Sequence, residues 1–161
     1  MAKRIVIKDG DVFRVDLPDG RHAFAQRLRH PLYAFFAPRV TNEQAGAQLI
    51  GEHLFSVWIF DAAPKRENWA RIGRFPISER LSVNPWFAKQ DILNGKITRY
   101  RNAPTLQAGY EEVDSTYEEA GQLEIAAVWA AEHVESRLMD HFAGRQNAYL
   151  ESLRIKRRQV G

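Results

Sequence analysis

Val12-Phe13-Arg14-Val15-Asp16-Leu17-Pro18-Asp19-Gly20-Arg21 is the stretch that decides the fold class. Phe13, Val15 and Leu17 recur at every second position with Arg14 and Asp16 between them, so residues 12–17 carry the pattern of a half-buried strand. Pro18 presets its φ, Asp19 can hydrogen-bond its own backbone, and Gly20 is free to take positive φ. Together they predict a tight hairpin into a second strand over residues 21–28. His30-Pro31 ends that strand and residues 32–37 supply a third, giving a meander that would curl readily into a small barrel-like sheet.

Further along, Phe55-Ser56-Val57-Trp58-Ile59-Phe60 is apolar on both faces, which predicts a central strand covered on both sides. Residues 69–75 read as another strand. Between the meander and that central strand, Thr41 with Gln44 fits a capping box and predicts a short helix within residues 41–52. Pro76, Pro85 and Pro104 keep the middle of the chain to short or edge strands, and Asn94-Gly95 predicts a two-residue type I′ hairpin returning through residues 96–100. Residues 123–129 put Leu123, Ile125, Ala127 and Trp129 on one face as a strand, the favoured reading, although their Ala and Glu content also permits a helix. From Ala131 the pattern is helical, with Val134, Leu138 and Phe142 on one stripe and Gly144 as the stop, and a second helix is expected over residues 146–157. The fold class is therefore α+β: an antiparallel, curled, barrel-like sheet over about residues 5–129 and C-terminal helices over about residues 131–158, in a single domain spanning 1–161.

Composition agrees with one core. The 161 residues are 45% hydrophobic and 11% aromatic, enough to fill a single domain and too much for general disorder. The chain has no cysteine, which removes disulfides, zinc thiolates and thiol nucleophiles and suits a reducing compartment. The start of the chain has no signal-peptide core, and no apolar run is long enough to span a bilayer, so a cytoplasmic location without membrane contact is expected.

Catalytic groups do not converge. His133 and His141 are two helical turns apart rather than at i and i+4, so no metal site is expected, and the scattered glycines form no phosphate loop, so no cofactor is expected. The serines lack a nucleophile-elbow context. Glu111-Glu112 and Glu118-Glu119 contain enough carboxylates for acid–base hydrolysis, yet an acidic run is more often a solvated face. No catalytic residue is assigned and the chain is not expected to be an enzyme.

The formal charge is +3, but its sign is uneven. Residues 111–135 hold eight acids and no Lys or Arg, whereas Arg154, Lys156, Arg157 and Arg158 cluster near the end. An alternative reading is a nucleic-acid-binding module with an SH3-like meander carrying Arg14, Arg21, Arg27, Arg29 and Arg39. Asp9, Asp11, Asp16 and Asp19 lie in the same region and would cancel much of that field, which disfavours nucleic acid.

Several segments in order along the chain resemble the immunity protein 26 family of bacterial polymorphic toxin systems. These are Gly10-Asp11-Val12-Phe13 with Leu17-Pro18-Asp19-Gly20-Arg21; Trp69 with Ile72-Gly73-Arg74 and Pro76; Phe87-Ala88-Lys89-Gln90-Asp91 with Asn94-Gly95-Lys96; and residues 123–129 with residues 132–138. The family often has glycines in its second strand, where this chain has Ala23 and Ala25. The resemblance implies an α+β protein that neutralises a cognate toxin encoded beside it, by direct stoichiometric binding in the cytoplasm, and it brings no catalytic residues. Since the matched aromatics and glycines are of the types that build cores and turns, the partner surface is expected elsewhere, at Glu111, Glu112, Asp114, Glu118 and Glu119.

Overall fold

The computed structural model describes residues 5–39, 50–102 and 109–157. The opening stretch forms β1 (Asp11–Asp16) and β2 (His22–Arg29), followed by β3 (Leu32–Pro38). Gly20 sits at φ +87, and its N–H donates to the Leu17 carbonyl at 3.0 Å, closing the hairpin as the Pro-Asp-Gly run requires. Next come β4 (Ile50–Ile59) and β5 (Trp69–Arg74). Residues 50–52 of the expected capping-box helix belong to β4; its Thr41 and Gln44 lie outside the described residues.

These strands form most of a six-stranded sheet in the order β5-β1-β2-β3-β4-β9, the last being the two-residue β9 (Val128–Trp129), parallel to β4. A second sheet contains β6 (Phe87–Gln90), β7 (Ile97–Asn102) and β8 (Tyr110–Asp114). The expected barrel-like curl is corrected: β5 and β9 end the large sheet at opposite edges, and the second sheet is separate. The reason is burial on both faces. Phe13, Val15, Phe35, Phe55 and Val57 face one cluster, whereas Val12, Phe24, Ala34 and Trp58 face another. Each face is packed against its own layer, so the six strands lie between two layers instead of wrapping around one interior.

The first face is covered by α2 (Ala131–Phe142) and α3 (Ala148–Leu153). Val134 and Leu138 are fully buried there, and Gly144 at φ +70 stops α2 as its position predicts. The second helix is shorter than expected. Asn147 caps it by accepting from the Leu150 N–H at 2.9 Å, and Arg154 turns extended so that Ile155 can enter a third cluster with Ala88, Ile97 and Ala120. The second face is covered by Phe87, whose ring lies 4.3 Å from that of Trp58.

Two further expectations are corrected. Residues 123–129 do not form one strand, because their apolar side chains serve different layers: Leu123 and Ile125 pack on the small sheet and Trp129 in the helix-side core. Asn94-Gly95 does occupy a hairpin, but the loop is longer than a two-residue turn. The Asp91 N–H closes it on the Lys96 carbonyl at 2.8 Å, with Gly95 at φ +74.

Two bulges set the positions of polar groups. In β1–β5 pairing the register slips between Val12 and Phe13, so that Phe13 faces Arg71 while Asp11 faces Arg74. Residues three apart on a regular strand point to opposite faces; the extra residue brings Arg71 and Arg74 to the same side, where both reach Asp11 at 3.0 Å. In β3–β4 pairing the same device places Leu54 as the extra residue and puts His53 on the face of Ser56.

Candidate functional site

The acidic segment folds as β8 and a single-turn α1 (Tyr117–Ala120), which Thr116 caps by accepting from the Glu119 N–H at 3.2 Å. Neither element was legible in advance. β8 lies at the edge of the small sheet, and its pairing with β7 sets Tyr100 opposite Glu112, Arg101 opposite Glu111 and Thr98 opposite Asp114. The five acids are therefore brought to one margin of the molecule, each with a polar partner. Glu111 meets Arg101 at 2.8 Å and Asp114 meets Lys96 at 3.0 Å. Glu118 meets Arg157 at 2.8 Å, and Glu119 accepts from the Ser115 hydroxyl at 3.0 Å. Glu112 accepts from the Thr98 hydroxyl at 2.8 Å and lies 3.4 Å from Lys89. That hydroxyl, with the Lys89 ammonium and the more distant Lys96, holds its carboxyl below the ordinary range despite some desolvation. The margin is thus a mosaic of alternating sign and not a bare anionic field. The cations come from β6, the β6–β7 loop, β7 and the C-terminal segment, so the acids' own neighbourhood in sequence concealed them.

Next to this margin stands the β6–β7 hairpin tip. Asp91 Oδ1 accepts from the backbone N–H groups of Leu93 at 2.7 Å and Asn94 at 3.0 Å, and those donors hold its carboxyl below the ordinary range. Asn94 Oδ1 accepts from the Lys96 N–H at 2.8 Å. The turn is thereby built from Asp91, Asn94 and Gly95, and the two intervening side chains, Ile92 and Leu93, are 99% and 96% exposed. The Gln90 side chain ties the hairpin arm to the C-terminal segment: its amide donates to the Lys156 carbonyl at 2.9 Å and its oxygen accepts from the Lys156 N–H at 2.8 Å. A groove lined by Asn94, Lys96, Asp114, Glu118 and Arg157 runs between tip and acids.

A separate cleft of about 320 Å³ opens beside β4 and is lined by Leu54, Leu81, Val83, Trp86, Leu123 and the His53–Ser56 pair. His53 Nε2 lies 2.8 Å from Ser56 Oγ. Desolvation, helped by the Arg80 charge, lowers the imidazole pKa and favours its neutral form. Glu124, at the cleft wall, is engaged by Arg137 at 2.9 and 2.5 Å, and among the described residues no carboxylate hydrogen-bonds His53. Among the described residues the pair therefore has no carboxylate as the third member of a nucleophile–base–acid set. Among the described residues, no three His, Asp or Glu side chains gather as metal ligands.

The meander's cations are largely spoken for. Arg14, Arg21 and Arg27 lie 2.9, 4.0 and 2.9 Å from Asp16, Asp19 and Asp9. In the C-terminal cluster, Arg154 meets Glu151 at 3.1 Å and Arg157 meets Glu118, while Arg158 lies outside the described residues. Among the described residues, no helix is long and apolar enough to cross a membrane.

No curated protein and no solved structure matches the chain. A family model for immunity protein 26 matches residues 8–98. The match runs from the Asp11 cluster through five strands of the large sheet to the β6–β7 hairpin, and stops before the acidic segment. The resemblance noted over residues 123–138 falls beyond it. With more than half of its length covered by that family model, the chain belongs to the immunity protein 26 family.

Proposed function

We propose that the protein is a cytoplasmic immunity protein of a bacterial polymorphic toxin system, folding as one domain and neutralising its cognate toxin by direct stoichiometric binding, with no turnover and no cofactor. Membership of the immunity protein 26 family carries this reading. Its contact surface includes Glu111, Glu112, Asp114, Glu118 and Glu119. Because most of these acids already face a cation, they act through matched charge pairs that a partner of complementary pattern can share, which favours selectivity and encounter rate over raw affinity. A nucleic-acid module would need uncompensated cations, and the carboxylates beside Arg14, Arg21 and Arg27 count against it.

The test is coexpression with the toxin encoded next to the gene. Rescue of growth and copurification at a one-to-one ratio are expected; failure of both would overturn the reading. A second expectation concerns the acids. The double variant Glu112→Lys, Asp114→Lys places like charges beside Lys89 and Lys96, and should slow association with the toxin by about tenfold and flatten its salt dependence. Both positions are exposed, so the stability change should stay within about 1 kcal/mol. Unchanged association kinetics would remove these residues from the interface.

A further inference from the structure

Ile92 and Leu93 are adjacent aliphatic side chains, 99% and 96% exposed, at the end of a hairpin whose conformation does not depend on them. Asp91, Asn94 and Gly95 supply the turn: two backbone N–H groups donate to the Asp91 carboxylate, one donates to the Asn94 side-chain amide oxygen, and Gly95 takes the positive φ. Polar residues would serve equally well at 92 and 93 and would avoid placing apolar surface in water. The fold therefore gives no reason for this pair.

The surroundings resemble the ring around an interface anchor. Lys96 with Asp114 and Arg157 with Glu118 flank the tip as matched pairs. Lys156 is held against the hairpin arm through its backbone by Gln90, and among the described residues its ammonium has no carboxylate partner. A rigid apolar centre within a polar rim is the arrangement in which a few residues dominate binding, since the turn is already ordered and little conformational entropy remains to be lost.

Resting on the immunity reading above, we infer that the Ile92–Leu93 tip is the anchor of the complex, inserting into an apolar slot on the toxin that carries a carboxylate at its rim opposite Lys156. The family match includes the tip and stops before the acidic segment; on this inference the tip anchors and the charged margin discriminates.

The experiment compares wild type with Ile92→Ser, Leu93→Ser and, separately, Lys156→Glu for binding to the purified neighbouring toxin by calorimetry, with melting temperature and sedimentation recorded for each. Because the two aliphatic side chains are almost wholly exposed, the serine variant should melt as wild type does while its affinity falls by about 100-fold or more. Lys156→Glu should lose about tenfold, chiefly at low salt. If wild type binds and the serine variant binds equally well, the tip is not the anchor although the immunity function stands. If wild type itself does not bind the toxin, both readings fall. A wild-type dimer that the serine variant dissociates without loss of toxin binding would assign the tip to a second copy of this chain and overturn the inference.

Discussion

Replacing Phe35 by alanine should lower the unfolding free energy by about 4 kcal/mol and the melting temperature by roughly 10 °C. Phe35 lies in the middle of β3, paired with Ala25 on one side and Phe55 on the other, and is completely buried. Its ring stacks on Phe55 at 5.0 Å between centroids and meets the edge of Trp69 at 6.0 Å. Truncation removes both the transfer energy of the ring and its contacts, and the surrounding side chains belong to three different strands that cannot close together without breaking pairing. Against a total stability of about 5–15 kcal/mol, such a loss leaves little margin. Phe35→Leu keeps most of the volume and should cost about 1.5 kcal/mol. Urea unfolding of the three proteins checks this, and a loss below 1 kcal/mol for the alanine variant would mean that the aromatic cluster is not the keystone of the helix-side core.

The strand that carries Phe35 was open to inference from the sequence, whereas the local environment of the acids was not. The first strand, expected over 12–17 and found over 11–16, follows from alternating polarity; those expected over 21–28 and 32–37 and found over 22–29 and 32–38 follow from the turn residues that bound them, and the Val134–Leu138–Phe142 stripe follows from helical period. Bulges are different. Leu54 and Ile72 each shift the faces of every later residue in their strand, yet a one-residue insertion leaves almost no local signature; Gly73, at φ +154, is the only hint at the second site. That parity change alone decides that Arg71 and Arg74 share Asp11, and that His53 meets Ser56. The charges followed the same rule. Glu111 and Asp114 looked uncompensated because Arg101 lies on the opposing strand and Lys96 in the loop before it, and Glu118 because Arg157 arrives from 39 residues away. At the hairpin tip, Asn94-Gly95 pointed to a turn, but the capture of two backbone donors by Asp91 lengthened the loop and turned Ile92 and Leu93 outward.

The Asp11 cluster yields a second large effect, and one with a pH signature. Asp11 has no exposed surface, although its partners Arg71 and Arg74 are 37% and 47% exposed. Burial alone would push its carboxyl pKa up; the Lys8 N–H at 2.8 Å, the Arg74 hydrogen bond and the charges of Arg71 and Arg74 outweigh that and hold it below the ordinary range. Asp11→Ala leaves the Lys8 N–H without its acceptor and releases two guanidinium groups, but these can turn to solvent, so the expected cost at pH 7 is about 2–3 kcal/mol rather than the larger figure for a fully enclosed pair. A carboxyl whose pKa is depressed by folding contributes stability that is fully present above its unfolded value, about 3.9, and is lost as pH falls through the lower folded value. The difference between wild type and Asp11→Ala should therefore be constant from pH 8 to about pH 5 and shrink on approach to pH 3. Measuring both proteins against urea across that range separates this contribution from the other acids, whose titration is common to the two. A gap as wide at pH 3 as at pH 7 would show that Asp11 is retained for its shape and neutral hydrogen bonds, and that the β5 bulge serves strand geometry instead of bringing two arginines to one buried charge.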